Sequence, residues 1–72
     1  MNNFVDYCME CFSEILTWGG EIVEKDFALE VEDDGRLLTL TDFKNLKQIR
    51  ATSLFEMERK LIAQYGDGNN GN

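Results

Sequence analysis

Cys8 and Cys11 are the first residues whose type and spacing could do chemistry. A Cys-x-x-Cys pair on one turn of a helix brings two sulfurs together, for a metal ion or for disulfide exchange. Here the pair falls inside a helical stretch, away from the helix start that would lower a thiol pKa. No second Cys pair and no histidine completes a zinc site. Both cysteines fall on the apolar side of the stretch, where free cysteine behaves as a small hydrophobe. Packing is the expected role, with no metal and no cofactor.

Carboxylates are the second set. Asp6, Glu10 and Glu14 are four apart, which on a helix makes a ridge with steps of about 6 Å. Glu24 with Asp26, and Glu30 with Glu32, are two apart, which on a strand is about 6.6–6.8 Å. That step is close to the spacing of phosphates along a nucleic-acid strand, about 6–7 Å. Residues 1–34 carry ten carboxylates against one lysine, Lys25, or −9; residues 35–72 carry six basic and four acidic side chains, or +2. The two halves predict one strongly negative face and one mildly positive one. The plainer alternative is a solvated acidic surface with no partner.

Asp33-Asp34-Gly35 superficially resembles part of a calcium loop, but the twelve-residue ligand spacing ending in Glu is missing. It reads as a hairpin turn. Carboxylate pairs are also the tools of glycosidases, but a chain this short has little room for a sugar cleft. Lys44, Lys47 and Arg50 recur every three residues, a small basic stripe if helical. A net charge of −7 opposes long-range attraction to phosphates, so direct nucleic-acid binding is not expected. Trp18 precedes two glycines. It either seals the end of the core or stands out as a contact anchor.

These residues need elements to hold them. Residues 3–17 read as a helix: Phe4, Cys8, Cys11, Ile15 and Trp18 share a side, Asn2 or Asn3 can cap it, and Gly19-Gly20 ends it. Residues 21–32 change to a period of two, as one long strand or as two strands turning near Glu24-Lys25-Asp26. Residues 36–40 form the partner strand after the Asp-Gly turn, with Leu38 and Leu40 preferred as the inward pair. Residues 42–65 read as helical, with Phe43, Leu46, Ile49, Leu54, Met57, Leu61 and Tyr65 as the stripe. A break at residues 51–53, where Ser53 and Glu56 have the form of a capping box, favours two helices, 42–50 and 54–65, over a single one about 35 Å long. Residues 66–72, rich in Gly and Asn, are expected to be a disordered tail.

The predicted fold class is therefore α+β, a single domain over residues 1–65. An N-terminal helix, an antiparallel hairpin or three-stranded meander, and one long or two short C-terminal helices pack in two layers. A chain of 72 residues buries only about 60 % of its unfolded surface. Its stability margin is thin, and a partner or a second copy could add to it. No apolar run approaches a membrane span, and the N-terminus lacks a signal-peptide pattern. Two cysteines are too few for a disulfide scaffold, which suits the reducing cytoplasm.

The expected function is binding without catalysis. Asp6, Glu10, Glu14, Glu24, Asp26, Glu30, Glu32 and Trp18 are the candidate contacts for a protein with a basic surface. Small size, acidity and the lack of catalytic residues associate with inhibitors from phages or mobile elements that mimic DNA charge. The alternative is a structural or regulatory subunit that self-associates as a homodimer.

Overall fold

The computed structural model describes residues 3–66; the cap expected at Asn2 and the tail at 67–72 lie outside them. The element order is α1 (Asn3–Trp18), β1 (Gly20–Val23), β2 (Phe27–Glu32), a short 3-10 turn (Asp33–Gly35), β3 (Leu37–Asp42), β4 (Lys47–Ala51) and α2 (Leu54–Tyr65). The strands form one antiparallel sheet in the order β1-β2-β3-β4. The α+β class and two-layer packing hold, with four strands where at most three are expected.

Sequence order becomes spatial order because each strand pairs with the next. α1 packs on β1 and β2, α2 packs on β4, and the two helices touch each other. The core lies between helices and sheet. Val5, Cys8, Phe12 and Ile15 from α1 and Met57 and Leu61 from α2 close over Leu29, Leu38, Leu40, Ile49 and Ala51. Burying a Leu, Ile, Phe or Met side chain stabilises by about 1.5–3 kcal/mol. The preferred inward pair, Leu38 and Leu40, is fully buried.

Residues 21–32 adopt the two-strand alternative. The turn at 24–26 closes with the Glu24 amide donating to the Phe27 carbonyl at 2.7 Å. It also resets the alternation. Val23 is left exposed on the outer side, while Ile22 pairs with Leu29 on the inner side. Glu24 and Asp26 therefore lie in the turn and not on an outward strand face. Their expected strand spacing does not exist.

The Asp-Gly turn is a hairpin connection as expected. Asp33 and Asp34 both have φ of 55°, and Gly35 has φ of 88°. Asp tolerates this left-handed region better than most residues, and Gly adopts it without steric cost.

The largest correction falls on residues 42–50, expected as helix and found as the end of β3, a turn and β4. Two interactions explain it. Asp42 Oδ1 accepts from the Asn45 amide at 2.9 Å, the same three-residue reach as a helix N-cap. Leu46 then takes φ of 56°, which no right-handed helix can contain. The chain reverses, and Ile49 and Ala51 point inward beside Leu40 and Leu38. Pairing with β3 outweighs a helical pattern that was only approximate. The stripe of Lys44, Lys47 and Arg50 does not form: Lys44 is in the turn, and Lys47 and Arg50 have opposite strand parity.

Ser53 starts α2 as expected. Its Oγ accepts from the Glu56 amide at 3.1 Å, while Glu56 Oε1 accepts from the Thr52 amide and hydroxyl, each at 2.8 Å. Gly66, with φ of 78°, closes the helix by donating its amide to the Ile62 carbonyl.

Candidate interaction site

One row across the open face of the sheet sets out the charge distribution. Glu21 on β1 pairs with Glu30 on β2, Glu30 with Thr39 on β3, and Thr39 with Arg50 on β4. The row runs from two acids through a neutral residue to a base. Like charges placed directly opposite each other on neighbouring strands repel. Glu32 lies two residues beyond Glu30 on the same outward parity. The Glu30 carboxyl shares a hydrogen bond with Glu32 and feels the charges of Glu32 and Glu21, so it is held above the usual carboxylate range.

Asp6, Glu10 and Glu14 form the expected exposed ridge on α1. The buried side of α1 faces the sheet, so the ridge points away from Glu30 and Glu32. The carboxylates do not share one flat face, as the sequence suggested. Glu21, Glu30 and Glu32 form an acidic flank on the β1–β2 side of the outer sheet surface, and the ridge is a separate acidic row on the helical layer. Among the described residues the single ion pair is Lys60 Nζ to Glu56 Oε2 at 3.4 Å, both on α2. None of the flank carboxylates has a cationic partner in it.

Two expected members have local roles in the turn. Glu24 is half-buried, and its Oε2 accepts from the Tyr7 hydroxyl at 2.7 Å. That bond ties the β1–β2 turn to α1 and pushes the Tyr7 phenol pKa up. Asp26 is exposed, and its carbonyl accepts from the Phe43 amide at 2.9 Å, linking the two turns at this end. Cys8 and Cys11 are free and buried. Burial pushes the Cys8 thiol to about 12 and raises Cys11 as well. Both are protonated at neutral pH, as packing thiols are.

Trp18 is 58 % exposed, so it does not seal the core. A Cβ on Gly20 would come within 3.1 Å of the indole, so the ring lies along the start of β1. It borders the acidic flank as an apolar surface.

Sequence reasoning missed a second constellation, at the end of the body where both strand turns lie. Asp42 is 5 % exposed. Its Oδ1 accepts from the Asn45 amide, and its Oδ2 accepts from Asn45 Nδ2 at 2.9 Å and from the Tyr65 hydroxyl at 2.7 Å. Burial pushes the Asp42 pKa up, but these bonds and the Lys44 and Asn45 amides outweigh it and hold it at about 2. Phe4 packs edge-on against Phe27 and Tyr65, with ring centroids 5.1 and 5.0 Å apart. A cavity of about 350 Å3 opens here, lined by Phe4, Asp26, Phe27, Asp42, Lys44, Asn45 and Tyr65. The available sequence signal was Asp42-x-x-Asn45, a side-chain-closed turn, but the same spacing also suits a helix cap.

No helix among the described residues is long and apolar enough to cross a membrane. No group of three or more Cys, Asp or Glu among them is arranged to hold a metal ion. The chain matches no protein-family model, no curated protein and no solved structure.

Proposed function

We propose that this protein is a non-catalytic binding domain whose acidic flank seats a basic surface of a partner protein. The observation that carries this reading is the uncompensated Glu21, Glu30 and Glu32 group. Three carboxylates are fixed on a sheet with no cation among the described residues paired to them. A folded domain bears that repulsion at a cost, and opposing lysines or arginines would relieve it. The ridge of Asp6, Glu10 and Glu14 extends the field and speeds encounter. Trp18 supplies an apolar anchor beside the charges.

A surface that normally binds nucleic acid is the natural complement, since it is built to neutralise a line of negative charge. The protein would then act as a competitive inhibitor by charge mimicry, of the kind phages and mobile elements carry. Two buried thiols suit a reducing, cytoplasmic setting. The test is affinity capture from the source organism at low and high salt. Proteins retained through the flank have basic surfaces, elute as salt rises, and are lost when Glu21, Glu30 and Glu32 become Gln. Retention that is indifferent to both changes refutes the reading.

A second reading is favoured by the same polarity. Glu21 lies on one edge strand and Arg50 on the other, so unlike edges of two copies are complementary. It requires a dimer mass at micromolar concentration that falls apart in high salt.

A further inference from the structure

The cavity beneath the two strand turns has a chemistry of its own, independent of the acidic flank. Buried charges in proteins are ordinarily paired with an opposite charge or a metal. Asp42 is nearly completely buried, yet every donor to its carboxylate among the described residues is neutral: the Lys44 and Asn45 amides, Asn45 Nδ2 and the Tyr65 hydroxyl. No lysine or arginine among the described residues forms an ion pair with it. Four neutral donors fill the carboxylate's capacity of about four hydrogen bonds but leave its negative charge without a counter-charge, so it acts on a cation through the field in the cavity and not through a new hydrogen bond.

The walls are aromatic. Phe4, Phe27 and Tyr65 line the cavity together with Asp42, and Asp26 stands at its rim. Aromatic faces attract cations through the ring quadrupole, most strongly where water is displaced. Aromatic walls with carboxylates at the base and rim suit a positively charged head with an apolar body. Among the described residues Lys44 is the only cation in the lining, and the balance of Asp26, Asp42 and Lys44 is negative. A cavity of about 350 Å3 is at the small end of ligand sites, large enough for an alkylammonium group.

We propose that this cavity binds an ammonium group, carried by a small free amine or by a lysine side chain of a protein. Asp42 supplies the charge, Phe27 and its neighbouring rings the faces, and Asp26 the attraction at the entrance.

The test is a titration of the full chain followed by NMR at constant ionic strength. The probes are tetramethylammonium, n-butylammonium, a lysine-rich peptide, its acetylated form, and 3,3-dimethylbutanol as the neutral isostere. Saturable shifts are expected at the Asn45 amide and the Phe27 and Tyr65 rings with at least one of the three cations, and not with the isostere or the acetylated peptide. Phe27→Leu keeps apolar volume but removes a ring face, and should weaken binding about tenfold. Asp26→Asn, at an exposed position, should weaken it without lowering the unfolding temperature. Tighter binding of the peptide than of the free amines assigns the ammonium to a partner lysine; the reverse order assigns it to a small amine. Failure of all three cations to shift these residues overturns the proposal, as does an equal response to the isostere. Either failure leaves the flank reading untouched, since Glu21, Glu30 and Glu32 are not in the cavity.

Discussion

The hydroxyl of Tyr65, the last residue of α2, donates to Asp42 Oδ2 at the end of β3 across 2.7 Å. One bond thus joins the C-terminal helix to a central strand and, through Asn45, to the turn that starts β4. Tyr65→Phe keeps the ring against Phe4 but removes the donor. It should lower stability by about 1–2 kcal/mol, read as a lower urea midpoint.

Acid should act through the same carboxylate. The folded pKa of Asp42 is about 2, below its ordinary 3.8, so the folded state favours the ionised form. The stabilisation is full above pH 3.8 and is lost as pH falls towards 2. Tyr65→Phe raises the folded value towards the ordinary one. The gap between wild type and variant should therefore narrow on acidification through that window, as measured by urea unfolding at several pH values. A constant gap contradicts the assignment.

Leu46 carries a left-handed backbone, φ 56°, with its side chain 88 % exposed. It loses no packing on removal. Leu46→Gly should raise stability by about 0.5–1 kcal/mol, the left-handed penalty less the extra chain entropy of glycine. Thermal unfolding measures this, and a loss of stability shows that the leucine is in use.

Much of this architecture is legible in the residues. The spacing of Cys8, Cys11 and Ile15 marks α1, Asp34-Gly35 marks the central hairpin, and Ser53 with Glu56 marks the start of α2. The legible parts depend on near neighbours. The turn at 24–26 has no glycine, and Tyr7 on α1 contributes to its hold through Glu24; that contact is distant in sequence. Asp42 is ambiguous because an N-cap and a side-chain-closed turn use the same bond to the third residue on. The left-handed Leu46 decides between them, and its residue type argues against that conformation. The acidic ridge on α1 could be read from its four-residue spacing. Glu21 could not be placed, since its position opposite Glu30 depends on strand register.

Ser53→Ala should lower stability by about 1 kcal/mol by freeing the Glu56 amide at the start of α2. Circular dichroism during urea unfolding checks this. The substitution should leave any flank-dependent binding unchanged at temperatures where the protein remains folded.

Glu30 should behave oppositely to Asp42. Its folded pKa is raised by Glu32 and Glu21, so the folded state favours the proton. Wild type should therefore lose stability relative to Glu30→Gln as pH rises through the carboxylate range. The difference should shrink as salt screens Glu21 and Glu32. Unfolding temperatures of the two proteins across pH, at low and high salt, give the sign directly.

The acidic flank itself is tested most directly by two variants of equal charge. Glu21→Gln/Glu30→Gln/Glu32→Gln and Glu58→Gln/Ala63→Lys/Gln64→Lys each remove three units from the net charge of −7, on opposite halves of the body. Binding of a basic protein captured from the source organism is then measured for both at the same salt concentration. Location governs if the first variant loses the partner while the second, on α2, retains most of its affinity. Equal loss in both variants, or in neither, contradicts a localised acidic binding surface.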